Sequence, residues 1–366
     1  MSCDFYALAT PGVRGLHPYE PGKPVSTLQR ELGLGDIVKL ASNENALGPS
    51  RLALKAAAAV VAEIHRYPDG NGFDLKAALA RRHNVADAQI TLGNGSNDVL
   101  EFIIRAFANE QHEVVFSEHA FAVYPLVTQS VGATCVAVPA LDYGHDLDAM
   151  AAAVTERTRV VFVANPNNPT GTWCPAQSLR AFIENLPDHV IVVVDQAYAE
   201  YVLDPQYPDC MTWINDHENL VVTQTFSKAF GLAGLRVGFM VAHAQITELL
   251  NRVRQPFNVN SLALAAAQAA LEDDEHLQQS RDMNQAGLAY LGSEFSRLGL
   301  DYIPSVGNFI CVALPRPGRE IYAQLLRSGV IVRPVDGYGL PMHLRVSVGL
   351  ESENRRFIQA LAEALQ

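Results

Sequence analysis

Short apolar runs of β-strand type alternate with helical patterns along the first two thirds of the chain. The runs lie near residues 90, 114, 134, 160, 190, 220 and 238. Helical patterns such as Leu75–His83 and Leu179–Leu186 fall between several of them. Because strands that alternate with helices pair mostly in parallel, this α/β pattern predicts a mostly parallel, seven-stranded sheet with helices on both faces.

The pattern changes after Pro256. The predicted elements beyond it are an Ala-rich helical region from about Ser261 to Leu298, strands near Phe309–Leu314 and Leu344–Val348, a helix at Ile321–Ser328 and a closing helix after Ser352. We therefore expect a large domain at residues 45–256 and a smaller α/β domain built from both chain ends, residues 1–44 and 257–366.

Composition narrows the class of protein. The chain has 366 residues, of which 49% are hydrophobic, and a net charge of −12, which argues against nucleic acid or an anionic membrane as a partner. No apolar run approaches the roughly 18 residues needed to span a bilayer, and the N-terminus lacks the features of a signal peptide. The five cysteines form no close pairs, and the histidines form no zinc motif. We expect a cytoplasmic, metal-free enzyme.

Lys228 is the first candidate for chemistry. It follows the strand-like run Leu220–Val222, and three glycines downstream allow the backbone to approach a ligand closely. A buried lysine with a lowered pKa is a nucleophile for carbonyls and forms a Schiff base with them. Nearby Thr225, Ser227 and Arg236 could hold the phosphate of a cofactor that carries the carbonyl. Pyridoxal 5'-phosphate meets both demands, although a Ser-Lys pair alone is also typical of a solvated surface.

Asp195 is the second candidate. It ends the apolar run Val190–Val194, which predicts a strand buried on both faces. A carboxylate at the carboxyl end of such a strand lies where ligands bind in open α/β sheets, and a protonated pyridine nitrogen would compensate its burial. The alternative is that Asp195 caps a following helix. Tyr198 could hydrogen-bond the 3'-oxygen of the cofactor or simply pack in the core.

A loop with two prolines, Asn165–Gly171, follows the predicted strand Val160–Ala164. Prolines restrict the backbone and Gly171 permits a turn. A loop of this kind is often only a connection. Placed at a strand end, it can hold Asn168 rigidly enough to donate a hydrogen bond to a ring oxygen.

A glycine turn at Gly93 and Gly95 joins a strand to the apolar helix Val99–Phe107. Backbone N–H groups at a helix start bind phosphate. The competing interpretation is a dinucleotide-binding fingerprint, but Asp98 stands in place of its third glycine. Phe121 could stack on a planar ring or could pack in the core.

Taken in order, these residues resemble those of the fold-type I pyridoxal-phosphate aminotransferases: Gly93–Asp98, Phe121, Asn168, Asp195, Tyr198, Lys228 and Arg236. Further stretches resemble the histidinol-phosphate aminotransferases: Ser42–Ser50, Arg66–Gly70, Leu344–Gly349 and the N-terminal Leu16–Tyr19. One departure is Phe121, which stands where many members carry tyrosine. The stack on the ring is therefore expected without a phenol.

The resemblance implies ping-pong transamination with pyridoxal 5'-phosphate. Lys228 would be the Schiff-base partner and the proton carrier, and Asp195 would keep the ring nitrogen protonated. Asn168 and Tyr198 would hold the 3'-oxygen. The implied phosphate ligands are Ser96, Asn97, Thr225, Ser227 and Arg236. A tyrosine that matches Tyr67 reaches the cofactor phosphate of the other subunit in this family, which implies a homodimer with a shared active site.

Substrate choice would depend on the smaller domain. Arg345 and Arg333 match family anion binders and could form a bidentate anion clamp, with both side chains facing Lys228 across the cofactor. An arginine in the last strands is also often only a surface charge. Tyr19 and Asn43 would close over the substrate. The expected partners are a small-molecule amino donor and a 2-oxo acid, with histidinol phosphate and 2-oxoglutarate preferred. Alternatives are an aromatic amino acid as substrate, a decarboxylase of an amino-acid phosphate, and a non-catalytic regulatory module.

Overall fold

The strands define two sheets and a short parallel pair. The structure is a computed structural model, and it describes residues 3–366. In this part of the chain the strands are β1 (Val38–Lys39), β2 (Ile90–Gly93), β3 (Glu113–Ser117), β4 (Thr134–Val138), β5 (Thr158–Ala164), β6 (Ile191–Asp195), β7 (Leu220–Thr225), β8 (Gly238–Ala242), β9 (Tyr302–Ile303), β10 (Phe309–Ala313), β11 (Val330–Ile331), β12 (Arg333–Pro334) and β13 (His343–Ser347).

Helices occupy most of the intervening sequence. They are α1 (Phe5–Leu8), α2 (Pro11–Arg14), α3 (Val25–Leu32), α4 (Arg51–Val60), α5 (Phe73–His83), α6 (Ser96–Phe107), α7 (Val123–Ser130), α8 (Leu147–Ala152), α9 (Ala176–Glu184), α10 (Ala244–Val253), α11 (Ser261–Ala270), α12 (Asp274–Arg297), α13 (Gly318–Arg327) and α14 (Glu351–Ala364). From residue 3 to residue 366, no helix is both long enough and apolar enough to cross a membrane.

The larger sheet has seven strands in the order β2-β8-β7-β6-β5-β3-β4. Pairing is parallel from β7 to β4, and β8 runs antiparallel to both of its neighbours. Each of the seven apolar runs in the sequence is one of these strands. The predicted mostly parallel, seven-stranded sheet is therefore confirmed.

The two faces of this sheet are buried in separate cores, which explains why its central strands are apolar throughout. In β6, Val192 and Val194 point into one core, and Val193 points into the other. Helices α6 and α10 cover the Val193 face, whereas α5, α9 and α11 pack over the opposite face. A strand buried on both sides has no polar face, so its sequence cannot alternate.

The smaller sheet is antiparallel, in the order β12-β13-β10-β9. Beside it, β1 pairs in parallel with β11, with Val38 opposite Val330. This pairing joins residues near the N-terminus to the C-terminal third of the chain. Helices α12, α13 and α14 supply the apolar residues that cover these strands. Both chain ends therefore contribute to the strands and helices around the smaller sheet.

The Ala-rich region after Pro256 is two helices rather than one. Asp273 begins the second of them, because its side chain accepts a hydrogen bond from the backbone N–H of His276 at 3.1 Å. The first, α11, packs against α4 within the core of the larger sheet. We therefore propose that the boundary between the domains lies at residues 271–273, after α11, and not at the expected residue 257.

Four chain segments that carry candidate residues meet at one edge of the larger sheet. Because β5, β6 and β7 are parallel, their carboxyl ends lie side by side, with Ala164 opposite Asp195 and Asp195 opposite Thr223. The end of β2 lies at the same edge, since Gly93 pairs with Gly238, which also pairs with Thr225. Ligands bind at such an edge in open α/β sheets.

Helix α6 offers a test of this packing. Ile103 is fully buried in the core beneath the helix, whereas Glu101 lies on its exposed face. Ile103→Ala should lower the free energy of unfolding by about 2–5 kcal/mol, because it leaves a cavity. Glu101→Ala should change it by less than about 0.5 kcal/mol. Urea denaturation followed by circular dichroism measures both, and equal effects would contradict the assignment of the buried face.

Candidate active site

A cavity of about 180 Å³ lies at the carboxyl edge of the larger sheet. Most of the residues singled out in the sequence line it: Tyr19, Asn43, Ser96, Asn97, Phe121, Asn168, Asp195, Tyr198, Thr225, Ser227, Lys228, Arg236 and Arg345. The structure thus brings together side chains that are up to about three hundred residues apart in sequence. Two of the predicted residues, Tyr67 and Arg333, do not line this cavity.

Lys228 lies three residues beyond β7 and projects its amine into the cavity. The Nζ atom donates a hydrogen bond to the carbonyl of Ser42 at 3.1 Å and lies 5.5 Å from the centre of the Tyr198 ring. Burial lowers the pKa of Lys228 to about 7, and the positive charge of Arg345 adds to this effect. Burial therefore favours the neutral, nucleophilic form of this amine.

Asp195 ends β6 and is buried, with 5% of its surface exposed. Its Oδ2 accepts a hydrogen bond from the Tyr124 hydroxyl at 2.9 Å, and its Oδ1 accepts one from Thr223 Oγ1 at 3.0 Å. Burial raises the pKa of Asp195, and these two hydrogen bonds oppose the shift. The chain beyond it forms a turn and then the short 3-10 helix Ala199–Tyr201, which starts too late for Asp195 to cap it.

Tyr198 is buried beneath the cavity, where its ring packs edge-on against Phe309. Its hydroxyl oxygen accepts a hydrogen bond from Asn43 Nδ2 at 2.9 Å. Burial raises the pKa of Tyr198 to about 12, so the phenol keeps its proton and can donate it to an acceptor in the cavity. Asn43 is in turn held by Ser347, whose hydroxyl donates to Asn43 Oδ1 at 2.9 Å.

The start of α6 and the segment around Arg236 form a polar cradle with little spare room. A Cβ atom on Gly95 would lie 2.3 Å from Arg236 Nη2, and one on Gly238 would lie 2.5 Å from the backbone nitrogen of Ser96. Gly95 also has a positive φ of 84°. Glycine is therefore needed at both positions. Arg236 Nη1 donates to Ser227 Oγ at 3.4 Å, which gathers hydroxyl, guanidinium and helix-start N–H groups around one point.

The same cradle argues against the dinucleotide interpretation. A dinucleotide fingerprint lies in a βαβ unit whose two strands are parallel neighbours. Here β2 pairs with β8 in the antiparallel direction, and the next strand, β3, lies at the other side of the sheet. The glycine turn thus serves a phosphate-sized site at the helix start, and not a fold of that type.

Arg345 faces the cavity from the smaller sheet and is 5% exposed. Its Nη1 donates to Asn168 Oδ1, and its Nη2 donates to the carbonyl of Ala41 at 2.8 Å. Both acceptors are neutral, and the buried Nε has no hydrogen-bond partner in the described part of the chain. A buried guanidinium held in this way is oriented but not neutralised, so it favours an anion in the cavity.

Arg333 lies next to Arg345 in the sheet, since β12 and β13 pair them directly. Its guanidinium, however, stacks on the ring of Tyr19 at 5.4 Å and faces an adjoining cavity of about 480 Å³. Tyr19 and Tyr338 line both cavities. The expected clamp in which both arginines face Lys228 is therefore not formed in this structure, because Arg333 is directed past Tyr19 into the second cavity.

Tyr67 lies outside both cavities and is 82% exposed. Its ring stacks on Phe257, with 4.7 Å between the ring centres. Within one subunit, Tyr67 therefore does not line the cavity that contains Lys228.

Of the lining residues that were not predicted from the sequence, three carry polar side chains: Ser42, Tyr124 and Tyr338. Tyr124 follows Phe121 by three residues in the turn that starts α7, so helical spacing was an available signal for it. Ser42 acts through its carbonyl and Tyr338 lies in an irregular segment. Neither carries a comparable sequence signal.

The residues present fit pyridoxal 5'-phosphate. The cradle at α6 suits a phosphate, the buried carboxylate of Asp195 suits a protonated ring nitrogen, and the Lys228 amine suits an aldehyde. The observation that supports the fit best is Asp195, whose burial disfavours its charge unless a cation lies beside it.

Comparison with known proteins agrees with this chemistry. The family model described as aminotransferase class I and II matches residues 35–361. Histidinol-phosphate aminotransferase 1 of Nitrosococcus oceani is 57% identical over 362 residues, which are 99% of this chain and 98% of the relative. Histidinol-phosphate aminotransferase 2 of Pseudomonas aeruginosa is 58% identical over 364 residues, 99% of each chain.

Solved structures agree as well. The crystal structure of histidinol-phosphate aminotransferase from Sinorhizobium meliloti in complex with pyridoxal-5'-phosphate superposes with a TM-score of 0.89 at 29% identity, and covers 98% of this chain and 97% of that one. The match of the family model, the full-length relatives and the shared fold lead to one conclusion: the chain belongs to the class I and II aminotransferase family.

Proposed function

We propose that this protein is a pyridoxal-phosphate-dependent histidinol-phosphate aminotransferase of histidine biosynthesis, located in the cytoplasm, with 2-oxoglutarate as the amino acceptor. The observation that carries the proposal is Arg345, a buried guanidinium without a charged partner that faces the same cavity as Lys228. The names of the full-length relatives support the choice of histidinol phosphate.

The cofactor would be held by groups on both sides of the cavity. The phosphate would lie at the start of α6 against Ser96 and Asn97, with Thr225, Ser227 and Arg236 completing its ligands. Asp195 would face the ring nitrogen, and Phe121 would lie against the ring. Tyr198 and Asn168 would donate to the 3'-oxygen. Asn168 can do so because Arg345 occupies only its Oδ1 and leaves its Nδ2 to donate.

When bound, pyridoxal 5'-phosphate supplies an aldehyde that takes up the amino group and a ring that accepts electron density from the substrate α-carbon. The protein supplies the proton transfer. Lys228 Nζ, whose pKa burial lowers to about 7, would take up the proton that leaves the substrate α-carbon and carry it to the carbon of the cofactor's former aldehyde. The carboxylate of Asp195 would keep a proton on the ring nitrogen and so stabilise the negative charge that develops in the reaction.

Substrates would be selected by their anionic groups. Arg345 would take the carboxylate of glutamate or the phosphate of histidinol phosphate, and Arg333 would add a second cation for the longer substrate. Tyr19 and Asn43 line the cavity on the side of the N-terminal segment and would close over the substrate.

The proposed assembly is a homodimer with a shared active site. Large apolar side chains are exposed in the chain segment from α4 to the start of α5, and Phe257 stacks on one of them, Tyr67: Leu52, Leu54, Ile64, Tyr67, Phe73 and Phe257. Such residues are typical of a protein–protein interface. Tyr67 would then reach the cofactor phosphate of the partner subunit.

The reaction can be tested by half-reactions of the purified, cofactor-loaded protein. Histidinol phosphate and glutamate should each change the absorbance of the bound cofactor. For phenylalanine kcat/KM should be at least about tenfold lower, because its single carboxylate carries less charge than a phosphate and it lacks the second carboxylate of glutamate. Lys228→Ala should abolish the change and Lys55→Ala should not. Reduction with borohydride should attach the cofactor to Lys228.

Three results would contradict the proposal. The first is attachment of the reduced cofactor to another lysine. The second is a preference for phenylalanine, which would favour an aromatic aminotransferase. The third is release of carbon dioxide without consumption of 2-oxoglutarate, which would indicate a decarboxylase.

The role of Arg345 can be separated from that of Arg333. Arg345→Ala should raise KM at least about tenfold for both histidinol phosphate and glutamate, since both substrates share one site and a charge-assisted contact contributes about 1.5–3 kcal/mol. Arg345→Lys should rescue poorly, because an ammonium cannot make the forked contact. Arg333→Ala should affect histidinol phosphate more than glutamate. Arg252→Ala, on the surface of α10, is the control and should leave the kinetics unchanged. If Arg345→Ala also had normal kinetics, the anion site would lie elsewhere.

The shared site can be tested by subunit mixing. Tyr67→Phe and Lys228→Ala subunits are each impaired, but a mixed dimer would contain one complete site, so random exchange should restore roughly a quarter of wild-type activity at limiting cofactor. Mixing Lys228→Ala with Arg345→Ala should restore none, because those two side chains act in the same subunit. Restoration in neither mixture, together with a monomeric mass in solution, would contradict the shared site.

A further inference from the structure

Tyr124 makes the closest side-chain contact with Asp195 that the cavity shows. Its hydroxyl donates to Asp195 Oδ2 at 2.9 Å, and only 1% of the residue is exposed. The ring lies parallel to that of Phe162, with 4.4 Å between ring centres and an angle of 4°. It also meets the ring of Phe121 edge-on at 5.8 Å. Tyr124 is therefore fixed by packing and cannot turn its hydroxyl away from the carboxylate.

The hydrogen-bond direction is settled by the chemistry of the pair. Burial raises the pKa of Tyr124 well above its usual value, and the charge of Asp195 adds to this. The phenol thus keeps its proton and donates, and a carboxylate oxygen that receives a donor is better able to remain ionised. Thr223 donates to the other oxygen, so the carboxylate is held from two sides.

We propose that Tyr124 is a positioning residue for the cofactor: its hydroxyl keeps Asp195 ionised and oriented toward the ring nitrogen, while its ring supports Phe121 at the ring face. The inference rests on the proposed binding of pyridoxal 5'-phosphate, but not on the identity of the amino donor. Tyr124 acts through Asp195 and Phe121 and does not itself take part in proton transfer at the substrate.

A variant that lacks only the hydroxyl oxygen distinguishes the effect of the Tyr124 hydroxyl from that of its ring. Tyr124→Phe keeps the stack on Phe162 and loses only the donor to Asp195. The dissociation constant of pyridoxal 5'-phosphate, measured by titration of the apoenzyme, should rise about tenfold, because a hydrogen bond to a charged group is lost. The rate of the half-reaction should fall about tenfold with little change in KM. The pH dependence of the bound cofactor's absorbance should shift.

The dependence on Asp195 is the sharper part of the test. If Tyr124 acts through the carboxylate, Tyr124→Phe should have almost no further effect on cofactor affinity in an Asp195→Asn background. Thr223→Val removes the donor to the other carboxylate oxygen. It should likewise weaken cofactor binding in the wild-type background and have almost no effect in the Asp195→Asn background. Tyr290→Phe, a tyrosine on α12 outside this cavity, is the matched control and should change neither the affinity nor the absorbance profile.

Two outcomes would overturn the inference. One is a Tyr124→Phe protein with unchanged cofactor affinity and unchanged absorbance profile, or with an equal loss of affinity in both backgrounds. The other is a variant that does not fold, since the hydroxyl would then be a structural group. Failure of histidinol phosphate as a substrate would contradict the proposed function but would leave these cofactor measurements, and the role of Tyr124, intact.

Discussion

The shared direction of β5, β6 and β7 is the constraint on which the rest of the site depends. Parallel strands end at the same edge, so the segments that follow them reach one another without long loops. Asn168, Asp195 and Lys228 meet there because each lies at, or a few residues beyond, the end of one of these strands. The reversed strand β8 completes the edge, since Gly238 at its start lies against the first turn of α6.

Two buried charged side chains at this edge, Asp195 and Arg345, have no oppositely charged hydrogen-bond partner in the described part of the chain. Asp195 is held by two hydroxyls, and Arg345 by an amide oxygen and a carbonyl, so each is oriented by neutral groups. Burial of an unpaired charge costs several kcal/mol. A cofactor with a protonated ring nitrogen would offset this cost at Asp195, and the anionic group of a substrate would offset it at Arg345. Each of these ligands should also stabilise the folded state, because it binds that state alone.

Much of this arrangement could be predicted because the governing signals are local. An apolar run buried on both faces, such as the one that leads to Asp195, marks a central parallel strand, and the residue at its end is thereby placed at the ligand edge. The break at Asp273 also has a local cause, the N-cap of α12, but the Ala-rich stretch around it is predicted as one helical region. The proposed domain boundary has no such local signal, because α11 joins the larger core through its packing against α4.

Other features depend on contacts that sequence spacing does not contain. Tyr124 touches Asp195 across 71 positions of sequence. Arg333 and Arg345 are direct neighbours in the sheet, but their side chains face different cavities. The residue that separates them is Tyr19, on whose ring Arg333 stacks. Tyr67 does not line the cavity of its own subunit, and its proposed role is in the active site of the partner subunit. In each case the deciding partner is distant in sequence, or lies in the proposed second subunit.

The separation of the two arginines bears on how one site would serve two substrates. A ping-pong transaminase must accept a donor and an acceptor of different length with their reacting carbons at the same place, near Lys228. Arg345 lies in the same cavity as Lys228 and suits an anion common to both substrates. Arg333 lies beyond Tyr19 and would be reached only by the longer one. Asn168 accepts a hydrogen bond from Arg345 and also lines the cavity proposed for the cofactor, so the anion site and the cofactor site adjoin at this residue. The two proposed substrates would therefore be distinguished by how far their anionic groups reach from Lys228. This explanation is simpler than one in which the pocket rearranges for the second substrate.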